Sequence, residues 1–375
     1  MRNGMIYFDS ASTSYPKPEV VIKAMQRYCV EIGASPGRGG YPSQTQGAAL
    51  VDSCREKLAR MTGSRRAKEV AFTHNATHAL NIVLKGFLRS GDHVIISAFE
   101  HNAVVRPLER LKRDCGIEYD VWGKEYCFEE LKKLVTPQTK LICLNHASNV
   151  FGTLAPAEEV AAFCRKKELS LLLDVSQTAG LFPIEIDADF IAGTGHKCLL
   201  GPPGVGFLAV KDSDMLTTLY EGGSGPNSAS AFHPESMPDK FEAGTLNYLG
   251  IAGLSAAIDY LETLVDPQNH LLELTQKAHR LLSSLPEITV YGPERENKVP
   301  LLSFNVEGQH PVEVAHALES SGFCLRAGLH CAPLAHKSFG TYPHGTLRLS
   351  FGRQNSFEEV EKLAENLLTL RKHHV

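Results

Sequence analysis

Between residues 70 and 210 the chain repeats one pattern, a short apolar run followed by a segment with helical spacing of apolar residues. Val70 to Thr73 and His93 to Ser97 are each followed by such a segment, and further apolar runs begin at Leu141, Leu171 and Phe190. Strands that alternate with helices are typical of a parallel sheet, because parallel neighbours must be joined by a crossover. The pattern predicts an α/β fold with a mostly parallel, doubly wound sheet.

After residue 210 this pattern ends, which predicts a second, smaller domain. A long polar loop extends to residue 239, and the tail then predicts strands at Leu301 to Val306, Phe323 to Arg326 and Thr346 to Ser350, with helices between and after them. A chain of 375 residues is also long for a single core. We expect a large domain of residues 15–250 and a small C-terminal α+β domain of residues 251–375, which residues 1–14 join.

Composition argues against several classes of partner. The chain has 38 basic and 42 acidic side chains, so nothing in its charge favours nucleic acid or an anionic membrane. No apolar run approaches the length of a membrane span, and no signal-peptide core lies between Arg2 and Asp9. The nine cysteines form no CxxC pair, which favours a reducing compartment. We therefore expect a cytoplasmic protein with neither nucleic acid nor membrane as a partner.

A lysine that directly follows one predicted strand is the first candidate for chemistry. The run Phe190 to Ala192 ends in a turn that contains Lys197, and the run Leu171 to Leu173 ends at Asp174. The carboxyl ends of parallel strands face the ligand crevice of such sheets. A lysine withdrawn from water there becomes a nucleophilic amine. A lysine with an aspartate partner for a pyridine nitrogen is the pair that a pyridoxal 5'-phosphate (PLP) site requires.

Two other kinds of site fit the residues less well. Metal ligands are available at His74 and His78, or at His330, Cys331 and His336, but neither set has a convincing set of partners, so no metal site is expected. The glycine-rich stretch from residue 201 to 206 precedes a predicted strand and not a helix, unlike a phosphate-binding or dinucleotide-binding loop.

A series of short motifs extends in one order from Tyr7 to about Arg353, and the order is more specific than any single motif. The motifs are Glu100-His101-Asn102, Ser148-Asn149, Asp174-Val175-Ser176-Gln177, Thr194-Gly195-His196-Lys197, Gly201-Pro202-Pro203-Gly204, Phe241-Glu242-Ala243-Gly244-Thr245, Arg326-Ala327-Gly328-Leu329-His330-Cys331 and Arg348-Leu349-Ser350. With them the chain resembles the cysteine desulfurases of the class V aminotransferase family, most of all the branch that includes selenocysteine lyase-like enzymes. The resemblance implies the type I fold of PLP-dependent transferases.

The resemblance also implies a role in cofactor binding for residues of these motifs. Lys197 would bind PLP through its amine and later move protons. Asp174 would keep the pyridine nitrogen protonated, because a nearby opposite charge favours the cationic form. His101 would stack on the ring or, alternatively, only cap a helix. Gln177 would donate to the ring oxygen, and Asn149 would contact that oxygen or the substrate.

The phosphate of PLP would be bound where a helix begins after the strand Val70 to Thr73. A helix N-terminus favours an anion, and Thr77 is the expected ligand there. The family usually has two hydroxyl residues and an acidic residue at this point, whereas this chain has Ala76 and His78 beside Thr77. Thr194 and His196 are the further candidates for binding the phosphate.

Thr245 matches a threonine that the family contributes to the active site of the partner subunit. The resemblance therefore implies a homodimer whose two active sites are shared between the subunits. The alternative for Thr245 is a helix N-cap, because an apolar helical pattern begins at Leu249.

Three arginines are candidates for substrate binding. Arg348 matches the arginine that takes the α-carboxylate of the substrate in bidentate fashion. Arg326 begins the motif that ends at Cys331. Arg38 lies in a glycine-rich loop that would bring it toward the active site.

Cys331 matches the cysteine whose thiolate attacks the substrate sulfur and leaves as a persulfide. The family commonly has histidine where this chain has Leu329, and the short stretch from Cys331 to Arg348 resembles the branch that passes its persulfide to an acceptor protein. The expected activity is PLP-dependent desulfuration of L-cysteine, or of L-selenocysteine, to L-alanine. The alternatives are a selenocysteine lyase or other class V aminotransferase or lyase in which Cys331 is incidental, and a catalytically silent sulfur-carrier scaffold.

Overall fold

The computed structural model describes residues 4–36, 40–63, 66–224, 228–266 and 268–372. Within these ranges the helices, in chain order, are α1 Glu19–Arg27, α2 Pro42–Met61, α3 Ala76–Phe87, α4 Asn102–Cys115, α5 Phe128–Leu134, α6 Ala157–Lys167, α7 Tyr248–Glu262, α8 Asn269–Ser283, α9 Pro311–Ser320, α10 Pro333–Ser338 and α11 Phe357–Lys372. The strands are β1 Ile6–Tyr7, β2 Val70–Thr73, β3 His93–Ser97, β4 Glu118–Trp122, β5 Thr139–Asn145, β6 Ser170–Asp174, β7 Phe190–Thr194, β8 Gly206–Val210, β9 Ile288–Tyr291, β10 Leu301–Val306, β11 Phe323–Cys324, β12 Arg326–Gly328 and β13 Thr346–Ser350. None of the described helices is long and apolar enough to cross a membrane.

The central sheet has seven strands in the order β2-β8-β7-β6-β5-β3-β4. Strand β8 is antiparallel to both of its neighbours, and the other neighbouring pairs are parallel. The strands β2, β3, β5, β6 and β7 therefore share one direction, and their carboxyl ends lie at one edge of the sheet. This confirms the predicted α/β fold with a mostly parallel sheet.

Helices cover both faces of this sheet, which is why its strands appear in the sequence as continuous apolar runs. Every residue of β6, β7 and β8 is buried. One core packs α2, α6 and α7 against the sheet through residues such as Leu58, Val160 and Leu254. The core on the opposite face is formed by α3 and α4, with Leu80 and Leu108 among its buried side chains. The sheet is thus doubly wound, as predicted.

A second, antiparallel sheet has the strand order β12-β13-β10-β9. The N-terminal strand β1 pairs in parallel with β11, so that Ile6 lies opposite Phe323, and Asp9 forms a bridge with Ser350. The N-terminus therefore joins the C-terminal elements. The boundary at residues 250 and 251 stays a prediction.

The structure differs from the prediction at elements with weak apolar patterns. The predicted strand Phe323 to Arg326 is two strands separated by Leu325, because β11 pairs with β1 whereas β12 pairs with β13. The strands β4 and β9 and the helices α5 and α10 were not predicted. Strands β4 and β9 lie at sheet edges and are mostly solvent-accessible, so neither needs an apolar run.

A buried ion pair connects α2 to the segment that precedes Thr245. Arg55 donates from Nη1 and Nη2 to the two carboxylate oxygens of Glu242, at 2.6 and 3.0 Å, and Nη1 also donates to the Val70 carbonyl. The Phe72 amide donates to Glu242 Oε1 at 2.6 Å. Burial raises the pKa of Glu242 even though Arg55 lies beside it. The ionised form of Glu242 is therefore stabilised mainly by Arg55.

Replacement of Arg55 should destabilise the fold strongly. Arg55→Ala leaves a buried carboxylate without its cation, and we expect the free energy of unfolding to fall by about 3–5 kcal/mol in urea titrations. Arg27→Ala removes an exposed pair with Glu31 and should cost less than about 1 kcal/mol. The double variant Arg55→Met, Glu242→Gln should recover part of the loss. Equal effects of Arg55→Ala and Arg27→Ala would contradict this account.

Candidate active site

A cavity of about 280 Å³ lies at the carboxyl edge of the central sheet. Its lining residues follow, or end, the strands β2, β3, β5, β6 and β7, as expected when the carboxyl ends of parallel strands meet. They are Asn75, Ala76, Thr77, His101, Ala103, Asn145, Asn149, Asp174, Ser176, Gln177, Thr194, His196 and Lys197. The structure thus brings together eight of the residues predicted to bind the cofactor, although their turns are far apart in the chain.

Lys197 and Asp174 line the cavity from neighbouring strand ends. Burial lowers the pKa of the Lys197 amine, and the negative charge of Asp174 offsets part of this effect. Asp174 is 6% exposed, and its Oδ1 accepts hydrogen bonds from the Ser176 amide at 2.9 Å and the Ser176 hydroxyl at 2.5 Å. These two donors orient the carboxylate, and Oδ2 accepts no hydrogen bond from the described residues.

His101 caps α4 and also lines the cavity, so both of the roles considered for it have structural support. Its Nδ1 accepts a hydrogen bond from the Ala103 amide at 3.0 Å. Burial, followed by the charge of Lys197, lowers the pKa of His101 to about 4. The ring is therefore neutral at pH 7, and because Nδ1 accepts, the proton resides on Nε2.

The N-terminus of α3 forms one end of the cavity. The helix is capped by Asn75, whose side chain accepts from the His78 amide at 2.9 Å, and Thr77 lies in its first turn. Gly206 of β8 allows this approach, because a Cβ atom there would lie 2.7 Å from the Asn75 backbone. The positive end of the helix dipole faces the cavity lining, which favours an anionic group at this end.

Two buried polar atoms of the cavity lining have no hydrogen-bond partner among the described residues. They are the Thr194 hydroxyl and Asn149 Oδ1. A buried polar group without a partner costs free energy, so both atoms indicate that a polar ligand completes the site. The Asn149 Nδ2 atom is already engaged, since it donates to the His330 carbonyl at 2.8 Å.

The N-terminal segment is bonded to the turn that contains Lys197. Lys17 Nζ and the Ser14 amide both donate to the His196 carbonyl, at 2.7 and 3.0 Å. Gln177, which lines the cavity, donates from its side chain to the Ala11 carbonyl at 3.1 Å. These bonds fix the turn from outside the central sheet.

Arg348 and Arg326 lie directly opposite each other on β13 and β12. Arg348 is 2% exposed and donates to the Asn149 carbonyl at 2.9 Å and to Asp9 Oδ1 at 2.7 Å, while its Nε is buried without a partner among the described residues. Both guanidinium groups donate to the Ser12 hydroxyl. Because Asn149 lines the cavity, Arg348 is bonded to the cavity wall.

Cys331 is exposed and lies in a loop that is tied to the same cavity. The Asn102 amide, next to His101, donates to the Cys331 carbonyl at 2.7 Å, and Asn149 binds the preceding carbonyl. His330 and Cys331 both have positive φ, at 49° and 56°, a strained conformation for residues with side chains. Cys331 lines an adjoining cavity of about 340 Å³ that also includes Thr77 and His101.

The remaining predicted residues have different positions. Thr245 is exposed and does not line the cavity, and the N-cap of α7 is Asn247, so the helix-capping alternative for Thr245 is wrong. Arg38 lies outside the described residues.

No group of three or more possible metal ligands occurs among the residues that the structure describes. Our sequence reasoning missed Asn75, Asn145 and Ser176, although each ends a predicted strand or closely follows one.

The comparison with known proteins decides the family. Residues 6–363 match the family aminotransferase class-V. The chain belongs to this family. It is 34% identical to a probable cysteine desulfurase of Methanothermobacter thermautotrophicus, across 96% of this chain and 94% of the relative. It is 32% identical to a probable cysteine desulfurase of Vibrio cholerae, across 96% of this chain and 92% of that relative.

A solved structure is also closely similar. The apo structure of a cysteine desulfurase from Thermococcus onnurineus superimposes with a TM-score of 0.92 at 30% identity, covering 99% of this chain and 96% of the other. The present chain therefore has the expected type I fold of PLP-dependent transferases, and the fold prediction is confirmed.

The partly buried histidine His196, next to Lys197, should make stability depend on pH. Burial, then the charges of Lys197 and Lys17, lower the pKa of His196 to about 4, against about 6.5 in an unfolded chain. Between these values the unfolded state binds more protons, so the free energy of unfolding falls as pH falls from 6.5 to 4. In urea titrations at pH 7 and pH 5, His196→Gln should lose less stability than wild type. The exposed control His344→Gln should lose as much stability between pH 7 and pH 5 as wild type does. If His196→Gln also loses as much as wild type, His196 is not the source of the pH dependence.

Proposed function

We propose that the chain is a PLP-dependent cysteine desulfurase that removes sulfur from L-cysteine to give L-alanine and a persulfide on Cys331. The observation that carries this proposal is the position of Cys331. Its cavity shares Thr77 and His101 with the cavity of Lys197 and Asp174, so a nucleophilic thiol adjoins an amine and a carboxylate of the kind a PLP site needs.

The residues of the cavity fit PLP. Asp174 offers a carboxylate for the pyridine nitrogen, Lys197 an amine with a lowered pKa, and α3 an N-terminus with Thr77 for the phosphate. The unpartnered Thr194 hydroxyl and Asn149 Oδ1 would gain polar partners from the cofactor. When bound, PLP supplies an electron sink for the bonds at the substrate Cα.

The protein side chains would each perform a defined task. Asp174 would hold a proton on the pyridine nitrogen, oriented by Ser176. Lys197, whose amine is easier to deprotonate than an exposed lysine, would take and return the proton at the substrate Cα. His101, neutral at pH 7, would cover the ring face without adding a second positive charge beside Lys197. Gln177 and His196 would contact the cofactor from the turns after β6 and β7.

Arg348 would bind the substrate α-carboxylate. Its guanidinium is held by Asp9 and the Asn149 carbonyl, and its buried Nε is free to donate. A guanidinium preorganised in this way binds a carboxylate through charge-assisted hydrogen bonds. Arg326 would add a second positive charge from the opposite strand. We keep Arg38 as a further candidate on sequence grounds alone.

Cys331 would perform the sulfur transfer. Its thiolate would attack the substrate sulfur, so that a sulfur–sulfur bond forms as the carbon–sulfur bond breaks. The electron pair of the broken bond remains with the substrate carbon, which takes a proton and becomes the methyl group of alanine. The loop is anchored on Asn102 and Asn149, which would keep the thiol near the substrate. The persulfide would pass to an acceptor protein, since Cys331 is exposed.

Removal of the Cys331 thiol tests the reaction. Cys331→Ala should retain PLP absorbance but lose alanine production from cysteine by at least about 100-fold, because no nucleophile remains to take the sulfur. The control Cys115→Ala removes another exposed thiol and should keep wild-type activity. Mass spectrometry of wild type after brief exposure to cysteine should find one added sulfur on the Cys331 peptide.

The same variant separates the alternatives. Alanine production by Cys331→Ala at the wild-type rate would refute the desulfurase mechanism and favour a lyase or aminotransferase. Loss with cysteine but retention with selenocysteine would indicate a selenocysteine lyase. A catalytically silent scaffold would fail to bind PLP and would form no persulfide.

We also propose a homodimer in which Thr245 completes the phosphate site of the partner subunit. The support is that Thr245 is exposed and caps no helix, while the buried Arg55–Glu242 pair fixes the segment in front of it. A cytoplasmic location is proposed as well, and its support is that all nine cysteines are free thiols.

Mixed dimers test whether the sites are shared. Lys197→Ala and Thr245→Trp should each be inactive alone. If they are unfolded together and refolded, half of the dimers should be mixed, with one complete site in two, so about a quarter of wild-type activity should return. Refolding each variant separately is the control. A monomer by sedimentation, or no recovery in mixed dimers that are seen by mass spectrometry, would exclude sharing.

A further inference from the structure

A cavity of about 310 Å³, distinct from the cavity that Cys331 lines, adjoins the candidate active site and shares only the lining residues Lys197 and Gln177 with it. We call it the second cavity. The N-terminal segment, the turn after β7, the helices α7 and α8, and the ends of β10 and β13 contribute to its wall. The lining residues that matter are Lys17, Leu181, Leu271, Leu301, Phe351 and Arg353. A cavity between packed layers that is mostly apolar with a few polar groups is typical of small-molecule sites.

The charged groups of this second cavity are all positive. Its lining contains Lys17, Lys197 and Arg353 but no aspartate or glutamate. Arg353 Nη2 is buried and has no hydrogen-bond partner among the described residues. Burial lowers the pKa of Arg353 and lowers that of Lys17 to about 8. Lys17 and Arg353 are partly buried and have no carboxylate in the cavity lining, which costs free energy that an anion would offset.

Apart from these cations and several neutral polar residues, the wall is apolar. Leu181, Leu271, Leu301 and Phe351 are each at most 6% exposed and line the cavity together. An inorganic anion would leave this apolar surface against water, whereas a hydrocarbon would leave Arg353 without a partner. A ligand with one negative charge and an apolar tail satisfies both parts of the wall.

We propose that the second cavity binds a small monocarboxylate with an apolar tail, and that Arg353 holds its carboxylate. The bound acid contacts the loop of Lys197, because Leu200 also lines the cavity and Lys17 donates to the His196 carbonyl at 2.7 Å. Leu200 has φ of +61°, a strained conformation for a bulky residue, so a contact there acts on a loop that is already under strain. The proposal of this ligand does not rest on the desulfurase reaction.

Calorimetric titration with octanoate tests the proposal on the whole purified protein. Wild type should bind about one octanoate per chain, and 1-octanol or sulfate should bind at least about tenfold more weakly, since each lacks one of the two features. Arg353→Gln should weaken octanoate binding at least about tenfold, and Arg353→Lys should weaken it less because it keeps the charge. The exposed control Arg280→Gln should bind octanoate as wild type does.

Three results would overturn the proposal. They are the absence of saturable octanoate binding by wild type, equal binding of octanol and octanoate, and unchanged binding by Arg353→Gln. Loss of binding in Arg348→Lys with no change in Arg353→Gln would place octanoate in the active site and also refute the second site. Thermal unfolding without octanoate checks that each variant is folded. The wild-type comparison of octanoate, octanol and sulfate decides the question even if Arg353→Gln fails to fold.

Discussion

The candidate site depends on the common direction of five strands in the central sheet. Because β2, β3, β5, β6 and β7 point the same way, the turns that follow them meet at one edge. Lys197 and Asp174 are neighbours for this reason, as their strands pair directly with Asp174 opposite Ala192. The antiparallel strand β8 separates β2 from β7, and its Gly206 leaves room for the start of α3. Without this common direction the cavity would lose most of its polar wall.

The second requirement is the burial of positive charge. Lys197 and Arg348 both have pKa values lowered by burial, and each has one carboxylate nearby that offsets part of the effect, Asp174 for the lysine and Asp9 for the arginine. The histidines His101 and His196 are neutral at pH 7 because burial and the charge of Lys197 lower their pKa values to about 4. A site arranged in this way favours anionic ligands, which fits both a phosphate and a substrate carboxylate.

The small C-terminal sheet completes the site through a few long-range hydrogen bonds. Arg348 of β13 binds the Asn149 carbonyl, and the Cys331 loop accepts from Asn102 and Asn149. Asn149 therefore contacts the cavity, the arginine and the cysteine loop at once. Its Oδ1 atom has no partner among the described residues, so a ligand that binds this oxygen would contact the residue that links the two sheets.

The sequence alone determined the architecture of the central sheet and most of the cavity wall. Strands whose residues are nearly all buried appear as continuous apolar runs, so strands such as β3, β10 and β13 were predicted with their observed bounds. In the parallel part of the central sheet, the polar residues after strand ends face the crevice. The tertiary structure decided what depends on contacts between distant segments. Exposed edge strands such as β4 carry no apolar pattern, and the Arg55–Glu242 pair joins residues that have no local signal. The second cavity likewise depends on tertiary packing, because Lys17 and Arg353, from opposite ends of the chain, line it together with apolar side chains.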